Sequence, residues 1–413
     1  MTNHEPGGRS PEPDLPAPET TSTSTRAPGP SLRLSGAGQL LAVLPHLLGY
    51  RPRRSIVVVV LVLDQRGSLG EMVFTGRVDL PATPDLGAAL RQLRFAVQQA
   101  ADASSGPTLL AVFGHDLPAR PDGEVEGPAV DGLLAASRGL ADETGCHVHD
   151  LVLVRDTDGG PQMCAVVADG EDLTEQERCW RPAPSAPDVP AVADLVLSGR
   201  GVLPSRAAVA ASVRRRDEAA TRATEVAFRL LHLAPDRLDE RRAVRDLDAW
   251  VRGGRTLDAR QRAQVAVVLH DRWVRDAVLA RWLPELPWVE DATVPDALVE
   301  MTRPLRPWPT TDHHEGLGRL LTLVSQVPRD LGGPLLTLGA MVAWTRGDGA
   351  VANEVCDLAL EVDPGCRLAG MLRRALEVGL RPPRPEPGRG HGSRPRGRPG
   401  RRARGRSGGL PAA

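Results

Sequence analysis

The sequence contains no lysine, so all 51 of its basic residues are arginines. A Walker-A phosphate loop, a protein kinase, a pyridoxal phosphate enzyme and a serine–lysine hydrolase each need a lysine amine at the reaction centre. The arginine guanidinium does not replace that amine, because it stays protonated throughout the physiological pH range. The absence of lysine therefore excludes pyridoxal phosphate as a cofactor and excludes a Walker-A nucleotide site. It leaves the identity of any other cofactor open.

Tyrosine and asparagine are almost as scarce. Tyr50 is the single tyrosine, and Asn3 and Asn353 are the two asparagines. Mechanisms that depend on either side chain have almost no candidate residue. The net charge is −1, from 51 basic and 52 acidic residues, which indicates neither a general nucleic-acid binder nor an acidic solvating protein.

Cysteine is also sparse, with five residues in 413 and no Cys-x-x-Cys pair. This excludes a disulfide framework and favours a reducing compartment. The N-terminus lacks the basic and apolar regions of a signal peptide. The longest apolar run, residues 56–63, is also far shorter than the roughly 20 residues of a membrane-spanning helix. The sequence therefore predicts a soluble, cytoplasmic protein with no membrane partner.

Two terminal segments and one internal segment have a biased composition. Residues 1–30 are rich in Pro, Ser and Thr, and residues 381–413 contain ten arginines and one acid. Both are predicted to be disordered, because they bury too little apolar surface to offset the entropy of ordering. Four prolines within residues 181–190 indicate a linker. We therefore expect an α/β domain over residues 31–180 and an all-helical domain over residues 191–380.

The first domain alternates helical and strand patterns. Leucines at helical spacing after Ser35 predict a helix that Ser35 caps and that ends near Gly49. The other predicted elements are strands over 55–63, 72–80, 108–113, 148–154 and 163–168 and helices over 86–103 and 127–144. Strand–helix–strand connections give parallel neighbours, and short turns give hairpins. The pattern therefore predicts an α/β fold with a mixed sheet of about five strands flanked by helices.

The second domain has apolar residues at helical spacing and no strand pattern. Its clearest feature is a helical hairpin over residues 333–364, with a Gly-Asp-Gly turn at 347–349. The turn, the small residues on the inward face of the second helix and the closing Asp-Pro match one tetratricopeptide unit. A plain helical hairpin is the alternative, because one unit alone does not build a solenoid.

Four segments carry a resemblance to a known family: LRLSGAGQLLAVLPHLLGYRPRRSIVVVVLV at 32–62, RVDLP at 77–81, VRD at 274–276 and AMVAWTRGDGAVANEVCDLALEVDPGCRLAGML at 340–372. They resemble an actinobacterial family catalogued as domain of unknown function 4192. The resemblance implies a shared fold and lineage, and no activity is assigned to the family. Members often have a Cys-containing strand followed by Cys-Cys-Pro. Here Cys164 matches the first cysteine. In place of the Cys-Cys-Pro there is the single Cys179, which precedes Trp180.

Polar residues follow two predicted strands. His115 and Asp116 follow one of them and Asp156 lies after the other. Ligands in α/β sheets bind outside the carboxyl ends of parallel strands, so an imidazole and carboxylates at one edge could hold a cation or supply a general base. The alternative is solvent-facing turn residues. The turn at Ser35 and Gly36 is a weaker candidate for an anion site, with helix capping as its alternative.

Two further groups contain residue types that bind metals. Cys146, His147 and His149 offer zinc donors, and Cys164 is the nearest candidate for a fourth ligand. No third and fourth ligand is close to these residues in the sequence. Residues 312–315, Asp-His-His-Glu, lack the second histidine that a zincin helix has four positions after the first. The sequence therefore predicts an exposed loop at 312–315.

The C-terminal segment contains the pattern GRPGRRARGRSGG, with arginines at Arg398, Arg401, Arg402, Arg404 and Arg406. It resembles Arg/Gly segments that bind nucleic acid through phosphate contacts. The segment contains no aromatic residue for base stacking, so any binding is predicted to be weak, nonspecific and dependent on salt. A solvated tail without a ligand is the alternative.

Three functions follow from these observations. The leading hypothesis is a non-enzymatic protein-interaction or scaffold protein, in which the C-terminal hairpin offers a groove for a peptide or helix of a protein partner. The second is a small-molecule or nucleotide-binding α/β domain, with or without hydrolytic activity, whose site is at His115, Asp116 and Asp156. The third is association of the arginine-rich tail with nucleic acid. The oligomeric state is left open.

Overall fold

The computed structural model describes residues 34–63, 69–80, 85–118, 127–286, 295–309 and 312–382. A mixed β-sheet with its helices comes first, and a run of helices follows it. The predicted α/β fold followed by an all-helical region is thus confirmed. The terminal segments that were predicted to be disordered lie outside the described residues, apart from residues 381 and 382. No helix within the described ranges combines the length and the apolarity needed to cross a bilayer.

The sheet has five long strands and two strands of two residues each. They are β1 (Ser55–Leu63), β2 (Leu69–Asp79), β3 (Thr108–His115), β4 (His147–Thr157), β5 (Gly160–Ala168), β6 (Glu171–Asp172) and β7 (Arg181–Pro182). The order is β2-β1-β3-β4-β5-β6, and β7 also pairs with β5. Strands β3 and β4 are parallel, and the other pairs are antiparallel. The mixed sheet agrees with the prediction, and the two added strands are too short to show a pattern.

Strand β1 lies inside the sheet and is buried on both faces. Its residues Ile56, Val58 and Val60 join a core built on one side by three helices, α2 (Leu86–Arg91), α3 (Arg94–Asp102) and α4 (Gly127–Thr144). The intervening Val57 and Val59 face the opposite side and are fully buried as well. Burial of both faces explains why this strand is a continuous apolar run rather than an alternation of apolar and polar residues.

Helix α1 (Ala37–Leu48) packs on the opposite side of the sheet from α2, α3 and α4. Gly38 allows a close approach, because a Cβ at that position would lie 3.1 Å from Pro184 Cγ and 3.6 Å from the Met163 sulfur on β5. The predicted end of the helix is confirmed at Gly49, whose φ of 79° is left-handed and favours glycine.

The continuous helix predicted over residues 86–103 is wrong, because the chain forms two helices there, α2 and α3. At their junction the Gln92 N–H donates to the Ala89 carbonyl at 3.2 Å, and the Leu93 N–H donates to the Leu90 carbonyl at 2.9 Å. Such bonds over three residues form a 3₁₀ turn, which is tighter than an α-helical turn. The break spans so few residues that the apolar periodicity of the sequence does not reveal it.

The described residues after the sheet form helices and short 3₁₀ turns, joined by loops. The described α-helices are α5 (Pro190–Leu197), α6 (Arg206–Arg214), α7 (Glu218–Leu233), α8 (Glu240–Val251), α9 (Ala259–His270), α10 (Arg272–Trp282), α11 (Asp296–Thr302), α12 (His313–Ser325), α13 (Gly333–Thr345), α14 (Gly349–Val362) and α15 (Arg367–Glu377). Helices α6 and α8–α15 share one apolar core, against which Phe228 of α7 packs. In this core Trp282 and Trp308 meet edge to face with ring centroids 4.9 Å apart.

Helices α13 and α14 form the helical hairpin predicted over residues 333–364. Gly347 has a φ of 86° at the turn. Small residues let the helices approach, because a Cβ on Gly339 would lie 3.5 Å from Val355 Cγ1. Helix α13 is buried continuously from Leu335 to Trp344. It therefore has no free face for the peptide or helix that the leading hypothesis placed on this hairpin.

Direct contacts join the sheet region to the helical region. Tyr50 and Leu203 form a parallel β-bridge, and the Arg206 guanidinium lies 3.8 Å from the Asp79 carboxylate. Residues 181–190, predicted to be a linker, include strand β7 and a 3₁₀ turn. The positions of the domain boundaries stay a prediction.

Candidate functional site

The carboxyl ends of β3 and β4 meet at one edge of the sheet, because these strands are parallel neighbours. His115 ends β3 and pairs with Val154 of β4. The Asp116 N–H donates to the Val154 carbonyl at 2.9 Å, and Asp156 follows two residues later on β4. His115, Asp116 and Asp156, predicted to form one site, therefore lie at the same edge of the sheet.

His115 belongs to a row of three polar residues across neighbouring strands. Ser55 of β1 pairs with Asp79 of β2 on one side and with His115 of β3 on the other. Residues directly opposite each other in antiparallel strands project from the same face of the sheet. The carboxylate, the hydroxyl and the imidazole thus share one face. Burial lowers the pKa of His115 to about 4, against the opposing effect of Asp116, so the imidazole is neutral at pH 7.

Arg77 of β2 extends this row, and it was not among the site residues predicted from the sequence. Its guanidinium donates to the Asp79 carboxylate and to the Arg53 carbonyl, the latter at 3.2 Å. It also lies 5.6 Å from the centroid of the Tyr50 ring. Burial raises the pKa of Tyr50, and Arg77 opposes that rise. The available signal was the alternation of β2, which places Arg77 on the same side of the strand as Asp79.

Tyr50, Ser55, Arg77, Asp79 and His115 form a group that we name the edge cluster. Three polar atoms of the edge cluster are buried with no hydrogen-bond partner among the described residues. The unpartnered atoms are Ser55 Oγ, Arg77 Nε and His115 Nε2. Unpaired buried polar atoms are rare in proteins, because each costs about 1–3 kcal/mol. A guanidinium, a hydroxyl and an imidazole can all donate, so the cluster has the chemistry to bind an oxygen anion.

Asp116 and Asp156 contact loop arginines instead of the edge cluster. The Arg54 N–H donates to Asp116 Oδ2 at 3.3 Å, and the Arg53 guanidinium lies 3.2 Å from Asp156 Oδ2. Arg54 and Asp116 have φ values of 41° and 51°, which residues with a side chain rarely adopt. At the rim of the sheet edge Asp156 is exposed and Asp116 is half-buried, whereas His115 is buried.

The turn at Ser35 and Gly36 begins helix α1 without a side-chain cap. Gly36 is the N-cap residue, so the capping role predicted for Ser35 is wrong. The Ser35 N–H instead donates to Gln39 Oε1 at 3.0 Å. Anion binding by this turn stays a prediction.

The four zinc candidates from the sequence lie in two environments. Cys146 and Cys164 belong to the apolar core beneath α2, α3 and α4. His147 is exposed at the start of β4, and His149 Nε2 lies 3.5 Å from the Asp169 carboxylate. In the described part of the chain no hydrogen bond or ion pair connects the two cysteines with the two histidines. A zinc site formed by these four residues stays a prediction.

The exposed loop predicted at residues 312–315 is wrong. Helix α12 begins at His313, and only 8% of the surface of His313 is exposed. The turn between α13 and α14 brings Asp348 against both His313 and His314. Asp348 is far from the two histidines in the sequence, so no spacing motif could indicate that these side chains meet.

Helix α7 carries exposed apolar side chains on the face that points away from the core. Its buried residues, Thr224 and Leu231, lie on the opposite face. Five exposed residues, which we call the α7 stripe, are spaced by four, three, four and three positions: Ala219, Ala223, Val226, Leu230 and Leu233. The last three are 59%, 62% and 80% exposed. The stripe was not predicted from the sequence, because the helical spacing of apolar residues predicts a helix without indicating which of its faces is exposed.

A surface cavity of about 290 Å³ lies at the C-terminal end of the α7 stripe. The side chains that line it are Phe228, Arg229, His232 and Leu233. Contiguous exposed apolar surface of this kind marks protein interaction sites more often than isolated exposed residues do. Leu233 belongs to both the stripe and the cavity, whereas Phe228 also packs against the core.

The arginines proposed to contact nucleic acid lie outside the described residues. They are Arg398, Arg401, Arg402, Arg404 and Arg406. Nucleic-acid binding by this tail therefore stays a prediction.

Comparison with known proteins places the chain in one family. No curated protein and no solved structure matches the sequence. The family described as domain of unknown function (DUF4192) matches residues 38–383. The match includes the sheet and the helical region, and with them the edge cluster and the α7 stripe. The chain therefore belongs to the DUF4192 family, as the four resembling segments of its sequence predicted.

Proposed function

We propose that the chain is a protein-interaction protein that works through the α7 stripe, and that the partner of the stripe is a second copy of the chain. The observation that carries the proposal is the exposed apolar spacing of four and three residues along α7. Helices with this spacing pair by inserting each apolar side chain into a gap on the facing helix. The function on this proposal is assembly rather than catalysis.

Exposure of the α7 stripe costs the isolated chain free energy that helix pairing recovers. Burial of a large aliphatic side chain contributes about 1.5–3 kcal/mol, and Val226, Leu230 and Leu233 are the side chains with most to gain. Helix α7 has 16 residues and is about 24 Å long. The apolar burial along one helix of this length exceeds the entropic cost of association only modestly. We therefore expect a dissociation constant in the roughly micromolar range.

The charges beside the stripe favour a second copy over a strongly charged partner. Glu218, Arg222, Glu225 and Arg229 give two charges of each sign on α7, and Arg229 forms an ion pair with Glu225 within the helix. A balanced helix neither repels its own copy nor selects an acidic or basic partner. The contact of a two-fold dimer requires such a self-complementary surface.

Sedimentation velocity tests this proposal with purified protein. The wild-type chain should change from monomer to dimer as its concentration rises through about 10 µM. Leu230→Glu should remain a monomer, because pairing would bury an unpaired carboxylate. Leu197→Glu is the matched control, since Leu197 is 86% exposed on another helix, α5, and it should dimerise as the wild type does. A wild-type monomer at every concentration, or a dimeric Leu230→Glu variant, would contradict the proposal.

A cytoplasmic location for this assembly is part of the proposal. All five cysteines are free thiols, and four of them are buried. A reducing compartment preserves such thiols, and an oxidising one puts the exposed Cys179 at risk of intermolecular disulfides.

The edge cluster supports a second candidate function, the binding of a small oxygen anion by the sheet region. Arg77 Nε, Ser55 Oγ and His115 Nε2 are the unpartnered atoms that support it. The row of Asp79, Ser55 and His115 contains the residue types of a hydrolytic triad. A triad, however, needs its histidine between the serine and the acid, and here Ser55 stands between the other two. The arrangement therefore supports binding rather than hydrolysis.

Thermal unfolding with inorganic phosphate tests this second function. Phosphate should raise the melting temperature of the wild type and have less effect on Arg77→Gln, because a ligand stabilises only the state that binds it. Arg91→Gln is the control, since the Arg91 side chain is exposed on α2. Equal phosphate effects on the three proteins would remove the edge cluster as an anion site.

A further inference from the structure

Three donor atoms converge where the start of helix α12 meets the turn before helix α14. His313 Nε2 lies 3.4 Å from Asp348 Oδ2, and His314 Nδ1 lies 3.3 Å from the same oxygen. All three donor atoms lie within 4.8 Å of one another. Among the described residues this is the one group of three or more His, Cys, Asp or Glu side chains close enough to share a metal ion.

The separations match the edges of a zinc coordination tetrahedron. Zinc binds histidine nitrogen and carboxylate oxygen at about 2.0–2.2 Å, and two ligands of a tetrahedron with such bonds lie about 3.3–3.6 Å apart. The two distances from Asp348 Oδ2 to the histidine nitrogens fall in this range. A nitrogen and an oxygen joined by a direct hydrogen bond would be closer, at about 2.7–3.2 Å.

Two of the three donor atoms are buried and lack a hydrogen-bond partner. His313 Nε2 and Asp348 Oδ2 have no hydrogen-bond partner within the described part of the chain. The side chains of His313, His314 and Asp348 are 10%, 19% and 13% exposed, so the group is largely enclosed and keeps some contact with solvent. Enclosed donors with an opening are what a bound ion needs for entry and for a remaining position occupied by water.

An ion pair between charged histidines and Asp348 is the alternative explanation. The rings of His313 and His314 lie 3.6 Å apart between centroids, so two imidazolium charges would repel each other strongly in this enclosed place. A metal ion removes the conflict, because it binds both imidazoles in their neutral form and balances its own charge against the carboxylate.

The structure assigns His313, His314 and Asp348 as the ligands of a divalent transition-metal ion, and we propose zinc as the ion that their geometry fits. Three protein ligands leave a fourth position for water or for a ligand group. The ion would join α12 to the hairpin of α13 and α14. The proposal is independent of the α7 stripe, because none of its residues lies on α7.

Calorimetric titration of the full chain with zinc tests the assignment. We expect one zinc ion per chain at this site. Loss of a hydrogen bond to a metal ligand already weakens binding 10- to 100-fold, so removal of a ligand in His314→Ala or Asp348→Asn should weaken it by at least about 100-fold. His270→Ala, which removes an exposed imidazole at the end of α9, should bind zinc as the wild type does. Unchanged zinc affinity in both ligand variants would overturn the assignment.

X-ray absorption of the wild-type zinc complex gives a test that requires no variant. The spectrum should show nitrogen and oxygen neighbours at about 2.0–2.2 Å and no sulfur at about 2.3 Å. Bound zinc should also raise the melting temperature by roughly 5 °C at an excess of about 100-fold over the dissociation constant. A sulfur neighbour would place the ion at a cysteine site. A protein that binds no zinc would show that His313, His314 and Asp348 are not zinc ligands. Either result contradicts the proposal.

Discussion

The sheet edge and helix α7 depart from the usual arrangement of side chains in opposite directions. At the sheet edge, Ser55, Arg77 and His115 keep polar atoms buried without partners. On α7, Leu230 and Leu233 keep apolar side chains in solvent. Both departures cost the isolated chain free energy, through lost hydrogen bonds in the first case and exposed apolar surface in the second.

The difference between the two regions indicates what each is suited to bind. A buried polar group gains most from a small ligand that completes its hydrogen bonds, whereas an exposed apolar face gains most from another apolar face. Helix α13 shows the third case, in which apolar residues are covered on all sides and have nothing further to bind.

The largest expected effect on stability comes from a substitution in the core around α13. Leu338 is fully buried, so Leu338→Ala should lower the free energy of unfolding by about 4 kcal/mol, from lost burial and from the cavity that remains. Denaturant unfolding measures the change. A loss below about 1 kcal/mol would show that α13 is not the packed core helix described above.

The pH dependence of stability tests the burial of His115. Its pKa is about 4 in the folded chain and about 6.5 in the unfolded chain. The unfolded chain therefore takes up a proton first as the pH falls, so stability present above pH 6.5 is lost as the pH approaches 4. The expected loss is about 3 kcal/mol. Unfolding of wild type and His115→Gln across this pH range isolates the effect, and identical pH profiles would contradict it.

Alanine variants of two buried serines compare a hydroxyl that lacks a hydrogen-bond partner with one that has a partner. Ser55 Oγ has no partner among the described residues, whereas Ser137 Oγ donates to the Leu133 carbonyl at 2.7 Å. Both residues are fully buried. Ser137→Ala should cost about 1 kcal/mol, while Ser55→Ala should be neutral or stabilising by up to about 1 kcal/mol. Equal losses in thermal unfolding would show that Ser55 is as well satisfied as Ser137.

The smallest effect is expected on α7. Leu230→Glu should change the free energy of unfolding of the monomer by no more than about 0.5 kcal/mol. Leu230 is exposed, so its substitution removes few contacts with the core. Denaturant unfolding below about 1 µM keeps the chain monomeric. A loss comparable to that of Leu338→Ala would mean that the α7 stripe packs inside the chain.

Much of the sheet region was predictable because its signals are local. The apolar run of β1 gave both ends of the strand, Ser55 and Leu63, and the pattern of α4 gave Gly127 and Thr144. The break between α2 and α3 was not predictable, because a single 3₁₀ turn leaves the apolar spacing nearly unchanged.

The candidate sites were predictable only where sheet topology determines them. His115 could be placed at the carboxyl edge because strands with a helix between them are parallel. The meeting of His313, His314 and Asp348 depends on how helices pack, and that packing leaves no mark in local spacing. The α7 stripe depends on which face of an amphipathic helix remains uncovered, which the sequence of the helix alone does not determine.

Hydrogen exchange of backbone amides is the most direct test of the central claim, that α7 is an interaction surface. The measurement compares α7 with α13 in the same wild-type sample, below and well above about 10 µM. Pairing should slow exchange in residues 218–233 by roughly tenfold at the higher concentration, because opening of α7 then requires dissociation. Exchange in residues 333–345 should not change. Equal exchange of α7 at both concentrations would contradict the claim.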